Sequence, residues 1–292
     1  MFIGIVLQAI FRVQWMNPFT KYCAILCPII FLGACTISPF SHDQAHSAHA
    51  SQLTDAATIR NLFNQANVQG VILIKSGNDL QAYGNAIQRA DQPFIPASTF
   101  KMLNALIGIE HNKTSPDEVF KWNGEKRSFP AWEKDLTLAQ AMTASAVPVY
   151  QELAHRIGLE LMQNEVKRVQ FGNGDIGAQV DNFWLMGPLK ITPRQEVQFA
   201  DQLSHLQLPF RKSTQQQVIQ MLFIEQIGSK ALYAKSGWGM DVEPQVGWYT
   251  GWVEDAQGKT TAFSLNLEMD QSTPASLRKE LVISSLKQLK IL

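Results

Sequence analysis

Ser98 and Lys101 stand three residues apart in "IPASTFKMLNAL", residues 95–106. Residues three apart on a helix share a face about one turn apart, which sets the lysine amine beside the hydroxyl. An unactivated hydroxyl is a weak nucleophile and attacks a carbonyl only when a neighbouring base takes its proton. Lysine serves as that base when its pKa is lowered or its amine is chemically changed. Phe100 and the apolar residues around it offer the desolvated setting this needs. Unpaired backbone N–H groups at a helix start can also receive the negative charge of a tetrahedral intermediate. The same residues read equally as an ordinary helix start, with Ser98 as N-cap and Met102, Leu103, Leu106 and Ile109 as the buried stripe. The spacing recurs at Ser276–Lys279 and Ser284–Lys287, so S-x-x-K alone decides nothing and needs partners.

Two other stretches offer partners. In Lys235-Ser236-Gly237, Lys235 supplies positive charge, Gly237 lets a ligand approach the backbone, and the N–H of Trp238 is a second oxyanion donor. Taken alone, the same tripeptide is a polar interruption of an edge strand. Ser145-Ala146-Val147 follows a helical stretch and precedes Pro148, where Ser145 also reads as a cap for the next helix.

The elements that must position these residues follow from hydrophobic period. Asp55 to Val68 is amphipathic, and "GVILIKSGNDLQAYGN" reads as a hairpin about Ser76–Asp79. From Ser98 to about Phe223 the pattern is mostly helical, over Leu136–Ala144, Val149–Arg156, Glu160–Val169, Pro193–Leu203 and Gln215–Phe223. "KALYAKSGWGM", "QVGWYTGWVE" and "TTAFSLNLEM" predict a three-strand meander, and a last helix spans Pro274–Leu289. Strands at both ends with helices between predict an α+β fold: one antiparallel sheet built from both termini, with a helical subdomain inserted. Ser98 opens the insertion and Lys235 lies on the strand after it, so both fall at the cleft between subdomains, where substrates bind.

Composition permits this. The 292 residues are 46% hydrophobic and 17% charged, enough for a substantial core. The formal net charge is zero and there is no basic run, which argues against nucleic acid as a partner. "MNPFTKYCAILCPIIFLGACTISPF", from Met16, carries one positive charge, a short apolar core and Leu32-Gly33-Ala34-Cys35, the pattern of a secretion signal. Residues 1–34 are therefore expected to be a signal peptide with Met16 as its start, and small residues before Cys35 resemble the site at which bacterial lipoproteins are cleaved and lipidated. Cys23 and Cys27 go with the signal, leaving an exported domain that relies on its core instead of disulfides. Residues 35–54 read as a lipidated N-terminus and flexible tether, and 55–292 as the folded domain. His42, His46 and His49 have metal-like spacing but lie in the solvated tether, so no metal is expected.

The three motifs, in the order S-x-x-K, S-x-V and K-S-G, resemble those of the class D β-lactamases, the oxacillinase-type penicillin-recognising serine enzymes. The likeness covers nearly all of residues 55–292, through "PASTFK", "SAVPVYQELA", "FGN" at 171–173, "DNFWLMGPL" at 181–189, "KSGWGMD" and "PQVGWYTGW". It is greatest to the carbapenem-hydrolysing branch found in Acinetobacter. The S-D-N tripeptide of class A enzymes does not occur. The resemblance implies the penicillin-binding transpeptidase/β-lactamase fold, Ser98 as the acylated nucleophile, and Lys101, carboxylated by carbon dioxide or bicarbonate, as general base. It implies that Trp184 hydrogen-bonds the carboxylated lysine, that Val147 and Leu185 shield it, and that Ser145 relays a proton to the β-lactam nitrogen. Lys235 and Ser236 would line the site, the N–H groups of Ser98 and Trp238 form the oxyanion hole, and Arg278 grips the substrate carboxylate. Phe129 and Met240 match an aromatic and a methionine that meet above the nucleophile in carbapenem-hydrolysing relatives. Phe171 stands where many members carry tyrosine, so no obligatory proton donor is expected there.

Two other functions share these motifs. A transpeptidase forms the same acyl-enzyme but hydrolyses it slowly, and a β-lactam sensor is acylated only to signal. The expected partners are small β-lactams, with a membrane reached through Cys35. Nothing in the sequence sets an oligomeric state.

Overall fold

The computed structural model describes residues 40–292, with side chains from Leu53 onward. Residues 1–34, expected to be a signal peptide, and Cys35 lie outside the described residues. The compact unit that carries the site spans Ala45–Leu292.

Helix α1 covers Phe40–Gln65 and is followed by the hairpin β1 (Gly70–Ser76) and β2 (Asp79–Gly84). α1 begins well before Asp55, so residues 40–54, expected as tether, are helical. His42, His46 and His49 fall on this stretch, where no side chain is described. The insertion then runs through α2 (Lys101–Glu110), β3 (Val119–Phe120), β4 (Leu136–Thr137), α3 (Leu138–Thr143), α4 (Val147–Ile157), α5 (Leu159–Val169), α6 (Pro193–Ser204) and α7 (Lys212–Met221). The chain returns to strands at β5 (Phe223–Ile227), β6 (Lys230–Gly239), β7 (Gln245–Glu254) and β8 (Thr260–Met269), and ends in α8 (Leu277–Gln288).

The main sheet has the order β2-β1-β8-β7-β6-β5, antiparallel throughout. β1 pairs with β8 from Gly70↔Leu267 to Lys75↔Ala262, joining the two ends of the chain as the sequence predicts. Strand alternation divides the core in two. Ile72 and Ile74 of β1 and Phe263, Leu265 and Leu267 of β8 pack with Ile59 and Phe63 of α1 and Leu281, Val282 and Leu286 of α8. Val71, Leu73, Val246, Trp248 and Trp252 belong to the core on the opposite face, with the inserted helices. α2 is buried on all sides from Lys101 to Ile109 at the centre of that layer, with Lys101 and Asn104 as its buried polar residues.

The sheet has one strand more than expected. Only Phe223 of β5 falls in an expected element, as the last residue of the Gln215–Phe223 helix, and the strand pairs with β6 only from Phe223↔Tyr233 to Ile227↔Lys230 with a register shift. α6 starts as its residues demand, with Pro193 in the first turn and a capping box between Thr192 and Gln195.

Candidate active site

Ser98 lies in a 3-10 turn, Ala97–Phe100, and not at a helix cap. The N-cap of α2 is Phe100, in helical conformation and without a side-chain bond, so the ordinary capping role for Ser98 is excluded. Ala97 takes a left-handed φ of 50°, a strained choice for a residue with a Cβ. Its neighbours hold it there. The Ala97 N–H donates to the Trp184 carbonyl at 2.8 Å, and the indole N–H of Trp248 donates to the Ile95 carbonyl at 2.9 Å. Phe100 stacks on Trp184, with centroids 5.3 Å apart and planes 21° from parallel.

Lys101 is fully buried, and its Nζ donates to Ser98 Oγ at 2.6 Å. Burial, followed by the nearby charge of Lys235, pushes the Lys101 amine well below the usual lysine range. No carboxylate pairs with it among the described residues. A neutral amine has the lone pair that a base needs, and it also reacts with carbon dioxide. The residue next to it in the chain, Phe100, stacks on a donor in want of an acceptor, since the buried indole N–H of Trp184 has no hydrogen-bond partner. Phe100, Phe183 and Trp184 form an aromatic cluster at this point, and Phe171 joins it edge-on to Phe100. Phe171 is buried and carries no proton to give. The ring of Tyr150, unremarked in the sequence, lies 5.6 Å from Lys101 Nζ.

Ser145, with φ of 53°, also holds a left-handed backbone. It does not cap α4, whose N-cap is Ala146. Its hydroxyl instead accepts from Lys235 Nζ at 2.9 Å, and that amine also reaches the Ser236 carbonyl at 2.8 Å. Burial, then the charge of Arg278, brings Lys235 down to about 7. The two lysines thus bring both serine motifs into one site. Val147 opens α4 and Leu185 follows Trp184, both half-buried.

β6 supplies the remaining wall. The Ala234 N–H reaches the Leu222 carbonyl at 2.9 Å, toward β5. Backbone groups alternate direction along a strand, so Ser236 and Trp238 aim theirs the same way, beyond the last β5 pair at Phe223↔Tyr233. The Ala97–Phe100 turn packs against β6 here. A Cβ on Gly237 would stand 3.1 Å from the Pro96 carbonyl oxygen and 3.3 Å from Thr99 Cγ2. Gly237 therefore serves the close seating of strand on turn.

Arg278 donates through Nη1 to the Gly237 carbonyl and through Nε to Ala275 O at 3.1 Å, with its guanidinium 5.4 Å from the Trp238 ring centre. Burial brings it to about 10, still cationic at neutral pH, and no carboxylate pairs with it among the described residues. Lys235 and Arg278 make a site that attracts an anionic group. The sequence also overlooked Trp132. Its indole N–H donates to the Ala144 carbonyl at 2.9 Å, next to Ser145, and its ring lies 4.7 Å from that of Phe129. Phe129 and Met240 are both exposed, at 43% and 41%. The ring contact of Phe129 is thus with Trp132.

Residues 60–286 match the penicillin-binding protein transpeptidase domain family. The chain is 36% identical over 231 residues to β-lactamase OXA-48 of Klebsiella pneumoniae, covering 79% of this chain and 87% of that one. The class D β-lactamase YbXI from Nostoc superposes with a TM-score of 0.76 at 36% identity, covering 80% of this chain and 99% of that one. For FUS-1 (OXA-85) of Fusobacterium nucleatum subsp. polymorphum the values are 0.77 and 31%, over 81% and 98%. A serine on a strained turn, bonded to a buried lysine and set in this sheet-and-helix frame, has these relatives for a reason: the chain belongs to the class D serine β-lactamases.

Proposed function

We propose that the protein hydrolyses penicillins and carbapenems through an acyl-enzyme on Ser98, with a carboxylated Lys101 as the base. The observation that carries this reading is the fully buried Lys101, 2.6 Å from Ser98 Oγ, in a setting where the indole of Trp184, stacked on Phe100, keeps a buried N–H without a partner. In the reaction Ser98 Oγ yields its proton toward Lys101 and attacks the lactam carbonyl. The N–H groups of Ser98 and Trp238 hold the oxyanion. Ser145, bonded to Lys235, passes a proton to the departing ring nitrogen, while Lys235 and Arg278 hold the substrate carboxylate beside Ser236. Val147 and Leu185 limit water around the Lys101 amine. Carbon dioxide, taken up on Lys101, would supply an anionic oxygen base, and the Trp184 N–H and the neutral amine fit that group. Carbapenem turnover is the finer part of the proposal, supported by Phe129 and Met240 standing where relatives carry their roof. The enzyme would act in the periplasm, tethered to a membrane by lipid on Cys35.

Repeated turnover of a chromogenic cephalosporin by the purified protein supports hydrolysis, whereas a single stoichiometric acylation would mean a sensor or transpeptidase. Ser98→Ala should abolish covalent labelling by a fluorescent penicillin, and Ser276→Ala and Ser284→Ala should not. Labelling that survives Ser98→Ala refutes the nucleophile.

A further inference from the structure

Glu196 has no part in the chemistry above, yet it is fully buried directly behind the nucleophile's turn. Its Oε1 lies 2.5 Å from Thr99 Oγ1, and its Oε2 has no partner. The Thr99 hydroxyl is also 2.8 Å from the Pro96 carbonyl oxygen. A hydroxyl carries one hydrogen, and a carbonyl only accepts. If Thr99 donates to an ionised Glu196, its oxygen and that of Pro96 face each other at hydrogen-bond distance with no hydrogen between them. Both contacts are satisfied when Glu196 is protonated and donates to Thr99, which in turn donates to Pro96.

Among the described residues, no cation pairs with the Glu196 carboxylate. Among the elements packed on α6, Lys75 of β1 pairs with Asp201, and Arg89 of the 87–91 turn bonds Asn266 and faces Glu268. Arg194, on α6 itself, pairs with Asp91. Burial pushes the Glu196 carboxyl up to about 8, opposed only by the Thr99 bond.

We propose that Glu196 is a positioning residue that acts in its protonated form, its O–H holding Thr99 and, through Thr99, the Pro96 carbonyl that sets the strained turn bearing Ser98. The Pro96 carbonyl is the atom against which Gly237 of β6 is seated, 3.1 Å from where a Cβ would stand. The same chain therefore sets the distance from Ser98 to the Trp238 N–H.

The proposal rests on Ser98 as nucleophile, and its first test does not. Infrared difference spectra of wild type against Glu196→Gln should contain a carboxylic-acid carbonyl band at neutral pH that fades as pH passes about 8. Its absence at neutral pH overturns the proposal. The second test is acylation by a fluorescent penicillin. Glu196→Gln keeps a donor toward Thr99 and should acylate within a few-fold of wild type, whereas Glu196→Met, without one, should be slowed about 10- to 100-fold in the acylation step with little change in KM. Wild-type acylation by folded Glu196→Met, or equal slowing of both variants, overturns it. If Glu196→Met does not fold, the infrared band and the activity of Glu196→Gln decide. Loss of the parent reading would be visible separately, as labelling of Ser98→Ala with the band intact.

Discussion

Replacing Trp184 by phenylalanine tests the proposed carboxylated lysine through a buried donor that lacks an acceptor. The indole N–H is buried and unpartnered, and Phe100 stacks on the ring at 5.3 Å. With the unmodified amine, the substitution removes a donor that had nothing to bond. With the carboxylated amine, it removes a hydrogen bond to a charged acceptor, at a cost of about 1–3 kcal/mol. That difference corresponds to a factor of roughly 5 to 150 in the affinity of Lys101 for carbon dioxide. The space vacated by the smaller ring destabilises both forms alike and cancels in the comparison. The assay is carbon-13 NMR of the carboxylated lysine during titration with labelled bicarbonate, alongside recovery of activity at low pH. Wild type and variant should reach the same final signal, the variant at markedly higher bicarbonate. Equal half-saturation in the two proteins, or no lysine-borne signal in wild type, would refute the reasoning.

The pH dependence of stability should carry the mark of Glu196. A carboxyl raised from 4.5 to about 8 on folding contributes stability that is complete below pH 4.5 and is lost as pH rises to 8, at most roughly 5 kcal/mol. Urea melts should therefore give wild type a decline relative to Glu196→Gln between pH 5 and 8, and parallel curves would contradict it. Gly237→Ala places a methyl 3.1 Å from the Pro96 carbonyl and 3.2 Å from Trp248 Cβ, so stability should fall by about 1–3 kcal/mol and acylation should slow; unchanged urea midpoint and acylation rate would clear the contact. Phe129→Ala and Met240→Ala should depress imipenem turnover more than ampicillin turnover, with non-additive effects in the double variant, and additive losses equal on both drugs would mean no shared roof. Incorporation of labelled palmitate should disappear in Cys35→Ser, and an unlabelled wild-type protein would refute the anchor.

Much of this architecture was written in local pattern. Alternation marked β1, β2 and the meander of β6, β7 and β8, and a start signal at Thr192-Pro193 marked α6. β5 escaped because an exposed edge strand buries too little to show a period. The helical stretch from Phe40 escaped because alanine and glutamine favour helix without drawing an apolar stripe. Within the site, the serine–lysine pairs were legible through motif spacing, but their restraints were not. The bond from Trp248 to Ile95 joins residues 153 apart, and nothing local announces it. Glu196 did leave a sign. It occupies the apolar stripe shared by Phe199, Ala200 and Leu203, where a charged residue is out of place unless it is neutral.

The pairing of β1 with β8 bears on how the enzyme comes into being. Gly70 must wait for Leu267 before its strand has a neighbour on that side, so the central ladder closes only after nearly the whole domain has been made. Contacts so distant in sequence are late and slow to form, and until they do the apolar faces of β1, β7 and the buried helix α2 have no cover. A chain truncated before β8 would hold Ser98, Lys101, Ser145 and Lys235 yet lack the strand that completes β7, and should be an aggregation-prone fragment without activity. Reactivity at the serine should therefore appear only once the last strand is in place.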